Sequence, residues 1–102
     1  MKNVIIIGNL GSNAVRRMTA EGREIMSFSV AVNDRKENTT WFNCVGSLRP
    51  AQFDYLTKGQ CVCVTGDLVV GEFNGRPDLS VSVDRIELCG SKREEQQDQQ
   101  QP

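Results

Sequence analysis

The sequence predicts an all-β domain, a five-stranded barrel with one short helix between strands three and four. Three observations predict it. Short runs of β-branched and aromatic residues recur along the chain with turn residues between them. The Asn74-Gly75 dipeptide is a strong two-residue hairpin signal. Only one stretch, opened by Arg49-Pro50 and closed by Gly59, carries helix start and stop signals. With 102 residues, 38% of them hydrophobic, the chain has material for one modest core and none for a second domain.

Val4 to Leu10 reads as the first strand, with Gly8 and Gly11 marking a bend where it leaves the sheet. Ser12 to Ala20 reads as an irregular extension, ending in a turn at Glu21-Gly22-Arg23. In the second strand Met26, Phe28, Val30 and Val32 alternate with Ser27, Ser29 and Ala31, giving one apolar and one small polar face. A polar loop, Asn33 to Asn38, leads to the third strand, Thr39 to Gly46. There Phe42 and Cys44 point one way, and Trp41, Asn43 and Val45 the other. The helix is expected from Arg49-Pro50 to Lys58, burying Leu48, Phe53 and Leu56. Val62, Val64 and Leu68 are core positions of a fourth strand that coils at Gly66. The fifth strand, Leu79 to Leu88, alternates through Val81 and Val83 and then changes phase to Ile86, which predicts a bulge near Asp84-Arg85. Residues 1–90 form the domain, and the Gln-rich stretch 91–102, without an apolar residue, is expected to be a flexible tail.

Five strands in this order, with the helix between the third and fourth, are the order of the OB-fold. Composition narrows the function. The net charge is -1 with a pI near 5.4, and residues 1–90 carry 10 basic and 10 acidic groups, so bulk charge drives no strong nucleic-acid binding. No apolar run approaches the roughly 18 residues of a membrane span. The N-terminus has too short an apolar run for a signal peptide, so the chain is expected to be cytoplasmic. Without histidine, a Ser or Cys nucleophile lacks its usual base, and the carboxylates are scattered. Gly8-Asn9-Leu10-Gly11 lacks both the Lys-Ser/Thr of a P-loop and the third glycine of a dinucleotide fingerprint. No enzymatic activity, cofactor or metal is expected. Cys44, Cys61, Cys63 and Cys89 include no C-x-x-C pair, and Cys61 and Cys63 share a strand face about 6 to 7 Å apart, so ordinary reduced thiols are expected.

The aromatics are more informative. Trp41 lies on the strand face opposite Phe42, and Phe73 lies at the tip of a hairpin; exposed rings of this kind stack on unpaired bases. Alternatively Trp41 plugs a barrel end and Phe73 staples its own hairpin, or either ring packs on another subunit. Arg16 and Arg17 before the first turn, Arg35 and Lys36 in the second loop, and Arg76 beside Asn74-Gly75 are candidates for phosphate contacts, although acidic neighbours offset such loop charges.

The chain resembles the bacterial single-stranded DNA-binding protein family. The resemblance is carried by Asn3-Val4-Ile5-Ile6-Ile7-Gly8-Asn9-Leu10-Gly11, Ser27-Phe28-Ser29-Val30-Ala31-Val32, Thr40-Trp41, Tyr55-Leu56-Thr57-Lys58-Gly59 and Val62-Cys63-Val64-Thr65-Gly66-Asp67-Leu68, in family order. It implies an OB-fold that assembles as a homotetramer or homodimer, binds single-stranded DNA without sequence preference, and works beside replication or repair proteins. It also implies base stacking for Trp41 and Phe73 and a DNA-facing role for Arg17. Departures are visible. Val45 or Gly46 and Lys36 stand where the family stacks aromatics, and Val69 and Gly71 stand where it places arginines. Glu72 is expected to set a negative charge beside Phe73, and the chain ends Gln99-Gln100-Gln101-Pro102 without an acidic, Phe-terminated tip. A second reading is a relative of primosomal replication protein N, a dimeric OB-fold adaptor in replication restart. A third is an OB-fold interaction module that has lost DNA binding. For the oligomer, the first strand and the outward face around Cys61, Cys63 and Thr65 are the expected contact.

Overall fold

A computed structural model describes residues 2–36 and 38–90. The elements run β1 (Asn3–Leu10), β2 (Val15–Met18), β3 (Glu24–Asn33), β4 (Thr39–Ser47), α1 (Pro50–Phe53), β5 (Cys61–Phe73) and β6 (Arg76–Leu88). The sheet order is β1-β5-β6-β4-β3-β2, and β1 also pairs with β3 through Asn9↔Ala31 and Leu10↔Val30, which returns the sheet upon itself. All pairings are antiparallel except β4 with β6, a short parallel contact centred on Cys44↔Val81. This is the OB-fold order, with β1 and β2 as two pieces of its first strand.

The expected irregular extension after Ser12 is therefore corrected: its residues 15–18 form a strand paired with β3 from Val15↔Ser27 to Met18↔Glu24. Between Leu10↔Val30 and Val15↔Ser27 the first strand advances five residues while β3 advances three. The surplus residues break the ladder without ending the strand, a feature that local polarity hides.

The helix is also shorter than expected, ending at Phe53 instead of near Lys58. Its continuation is bound elsewhere. Leu56 C=O accepts from Ala14 N–H (2.9 Å), Gly59 N–H donates to Leu10 C=O (2.9 Å) and Leu10 N–H donates to Gln60 C=O (3.0 Å). These bonds tie residues 56–60 to the end of β1, and Leu56, 1% exposed, seals the core there. A longer helix would forfeit both the bonds and the seal.

The core holds Ile6, Leu10, Met26, Phe28, Val30, Cys44, Leu56, Val62, Val64, Val81, Val83 and Ile86. Apart from Leu56, these are the inward positions of strand alternation. Leu48, Phe53 and Val32 pack at its margin, Leu68 is half-buried, and Leu88 at the end of β6 is exposed. The phase change in β6 is a bulge. Thr65 faces Arg85 and Gly66 faces Val83, so Asp84 is left without a partner across the ladder. Arg49 Nη2 donates to the Asp84 carbonyl at 2.8 Å, and Gln52 Nε2 donates to Ile86 C=O at 2.9 Å, so the short helix supplies the polar partners the bulge needs. At the hairpin, Asn74 (φ 55°) and Gly75 (φ 78°) both adopt the left-handed conformation that a type I′ turn demands. The expected tail, 91–102, lies outside the described residues.

Two predictions follow from this packing. A β-carbon at Gly66 would collide with Ser82 C=O and sit 2.9 Å from Val81 Cγ1. Gly66→Ala is expected to lower stability by about 2 kcal/mol or more in urea unfolding. Burial pushes the Cys44 thiol up to about 12, so it stays protonated far above neutral pH. Iodoacetamide at pH 8 is expected to leave Cys44 unlabelled in the folded protein and to label it after denaturation, as mass spectrometry of the peptides would record.

Candidate nucleic-acid interface

Register and alternation define one outward surface. Across it run Val15 and Arg17 on β2; Ile25, Ser27, Ser29 and Ala31 on β3; Trp41, Asn43 and Val45 on β4; Arg76, Asp78, Ser80 and Ser82 on β6; and Val69, Gly71 and Phe73 on β5. Its floor is low, because serine, alanine and asparagine dominate the centre. Trp41 and Phe73 rise from it, 53% and 70% exposed. Phe73 lies four residues beyond Val69, which neighbours Ser80 and through it Asn43. That places Phe73 about 13 Å further along the strand direction.

Trp41 is held on one side. A β-carbon built at Gly11 would come within 2.5 Å of Trp41 Cζ3 and 2.7 Å of Cη2, so the indole lies directly against the Gly11 backbone. Gly11 N–H donates to Ser29 C=O at 3.0 Å, which fixes that backbone to the floor. The sequence pattern singled out Trp41 but not its seat; Gly11 read only as a strand-end glycine. A shallow hollow beside it is lined by Ser12, Asn13, Val15, Arg17, Ser27, Ser29, Asn43 and Val45. Asn43 Nδ2 donates to Asp78 Oδ1 (3.1 Å), and Ser80 Oγ donates to the other carboxylate oxygen (3.5 Å), bracing β4 against β6 where their ladder is short.

The candidate residues separate. Trp41, Phe73, Arg17 and Arg76 share the surface, and Arg76 pairs directly with Phe73. Arg35 and Lys36 lie in the turn between β3 and β4, past Asn33↔Thr39 and hence beyond the Trp41 end. Asp34 Oδ1 shapes that turn by accepting from the backbone N–H of Lys36 (2.8 Å) and of Asn38 (2.9 Å). Arg16 points away. It pairs with Glu24 at 3.3 Å, and its guanidinium lies 5.8 Å from the Phe53 ring centroid on the opposite side of β2. The charge expected beside Phe73 is also corrected: Glu72 falls on the other side of the hairpin, opposite Pro77, and the cross-strand neighbour of Phe73 is the arginine.

Among the described residues no group of three or more His, Cys, Asp or Glu side chains is placed to hold a metal ion. The surface offers two rings, hydroxyl and amide groups, and a few cations. Such a set can stack and hydrogen-bond flat, unpaired groups.

Comparison with known proteins identifies the family. Residues 1–95 match the model of the single-strand binding protein family. The chain is 32% identical over 103 residues to a single-stranded DNA-binding protein of Chlamydia muridarum, covering 88% of this chain and 64% of the relative. It is 31% identical over 86 residues to one of Rickettsia conorii, covering 72% of this chain and 57% of the relative. The chain thus spans about six tenths of the length of these curated relatives. The crystal structure of a small single-stranded DNA-binding protein from Streptomyces coelicolor superposes with a TM-score of 0.68 at 21% identity, over 85% of this chain and 93% of that one, and so shares the fold. With the family model covering the strands, the Trp41 surface and the Tyr55–Gly59 splice together, the chain belongs to the single-strand binding protein family.

Proposed function

We propose that this protein binds single-stranded DNA without sequence preference, by stacking bases on Trp41 and Phe73 and contacting the backbone with Arg17, Arg76, Arg35 and Lys36, in the service of DNA replication, recombination or repair. The observation that carries the reading is the placement of both exposed rings on one outward surface, with serine, alanine and asparagine at its centre and Val15, Ile25, Val45 and Val69 among them. A single strand presents flat base faces and a flexible backbone, and such a surface accommodates it whatever its sequence. A duplex hides those faces. Arg16 is left out of the binding set, because Glu24 and Phe53 already engage it.

Electrostatics assigns stacking the larger share. The surface carries Arg17 and Arg76 but also Asp67 and Asp78, so phosphate attraction is modest. Asn43 and Ser80 hold Asp78 in place, which leaves it a fixed negative charge on the surface.

The proposal extends to self-assembly. On the outer side of β1, Ile5 and Ile7 are 67% and 60% exposed, and they lie next to Thr65 and Cys63 of β5. Two exposed isoleucines on an edge strand are an aggregation hazard unless another chain covers them. A second copy of this chain is the natural cover, giving a dimer or a tetramer.

Four outcomes test these statements. Titration with oligo(dT) is expected to quench the fluorescence of Trp41, the only tryptophan, and absence of quenching at tens of micromolar DNA would favour an interaction module over a DNA binder. Trp41→Ala and Phe73→Ala are each expected to weaken binding by about 1 to 3 kcal/mol, roughly 5- to 150-fold, while Arg16→Ala changes it less than about twofold. The slope of log affinity against log salt is expected to be no steeper than about -3 per subunit, since each of four basic contacts contributes about 0.7. For assembly, Ile7→Glu is expected to shift the light-scattering mass toward the monomer; an unchanged oligomer would place the interface elsewhere.

A further inference from the structure

We propose that Cys61 and Cys89 form a reversible dithiol–disulfide pair, which on oxidation by a low-molecular-weight disulfide staples the open end of the β5–β6 ladder.

The pair follows from register. Val62 faces Leu88 and Cys63 faces Glu87, so the next position places Cys61 opposite Cys89. Cys89 N–H donates to Cys61 C=O at 3.0 Å, the final rung of the ladder. Their sulfur atoms lie 2.6 Å apart, inside the van der Waals contact of two thiols and approaching bonding distance, with both residues half-buried. Directly opposed residues on antiparallel strands bring their β-carbons close to the separation that a disulfide bridges. Within the chain neither remaining thiol competes. Cys63 faces Glu87 on the same outer surface, at the two-residue strand spacing from Cys61, which is too long for a bond. Cys44 is sealed in the core.

The chemistry uses both thiols. Partial burial and the neighbouring Cys61, Cys63 and Glu87 raise the Cys89 thiol to about 11. Whichever of the two thiols ionises first displaces, as its thiolate, one thiolate from the small disulfide RSSR and becomes the mixed disulfide. The other thiol loses its proton and attacks the protein sulfur of that mixed disulfide, forming the Cys61–Cys89 bond and expelling the second RS⁻. The protein gives up two electrons and two protons, and RSSR becomes two RSH; an external thiol reverses each step. A transient bond of this kind is compatible with a reducing compartment.

The location gives the bond its consequence. Cys89 lies one residue past the end of β6, where a ladder frays first. The link spans a separation of 28 residues, enclosing the whole hairpin, and removes unfolded-chain freedom that reduced protein retains.

The test uses the full-length protein, treated with oxidised glutathione and then blocked with N-ethylmaleimide. Support is an intact mass with two fewer maleimide adducts than the reduced, blocked control and a further two hydrogens missing, a non-reduced digest linking the Cys61 and Cys89 peptides, and a rise in Tm on the order of 10 °C that dithiothreitol reverses. Cys63→Ser is expected to keep all three, and Cys61→Ser, Cys89→Ser and Cys89→Ala to lose them. Glutathione adducts without a link, a link through Cys63, or a Cys61–Cys89 link with unchanged Tm would each overturn the proposal. None of these readouts depends on DNA binding.

Discussion

At two places the strand backbones approach one another so closely that no β-carbon fits between them. Gly8 of β1 lies against the carbonyl of Ala31 on β3, and Gly66 of β5 lies against the carbonyl of Ser82 on β6. These contacts let β1 pass from β5 to β3 and let β5 coil sharply enough to carry the sheet round. The unpartnered Asp84 adds bend at the same latitude, since a bulge increases local twist. Without these devices a sheet this short would stay open, and its apolar face would meet water on one side.

Closure makes strand alternation consequential. Once the sheet curls, one set of alternate residues becomes core and the other set becomes surface, along every strand at once. The inner set is aliphatic with Met26, Phe28 and Cys44. The outer set divides by location. The β2-β3-β4 region and the hairpin arm carry serines, asparagine and scattered valines with two raised aromatic rings, whereas the outer side of β1 carries Ile5 and Ile7. One can stack flat, unpaired groups and the other leaves two isoleucines uncovered, so a single closure separates the two surfaces on which the proposed DNA contact and self-assembly rest.

Charge shapes the same separation. Arginine is divided by strand parity: Arg17 falls on the polar surface, while its neighbour Arg16 turns to Glu24 and Phe53. In the hairpin, parity brings Arg76 beside Phe73 and removes Glu72 to the reverse side. Under the proposed function, a cation next to a ring that stacks a base would attract the phosphate that accompanies that base, so the two contacts would reinforce one another.

Much of this was legible in the residues themselves. The alternation of Met26 to Val32, the phase change between Val83 and Ile86, the Asn74-Gly75 turn and the outward position of Trp41 are all local patterns, because side-chain period and turn conformation are properties of a few adjacent residues. Family membership was legible too, from motifs such as Tyr55-Leu56-Thr57-Lys58-Gly59. What local pattern left open depended on partners distant in sequence. Val15–Met18 is a strand because β3 lies beside it, and the helix stops at Phe53 because Ala14 and Leu10 capture the backbone of residues 56–60. Gly11 is the seat of Trp41, and Cys61 meets Cys89 across a separation of 28 residues, only because the folded strands bring them together. The sequence by itself determined which residues face inward and where the chain turns; the tertiary structure decided which outward residues become neighbours, since hydrogen-bond register between remote strands sets that choice and no short stretch encodes it.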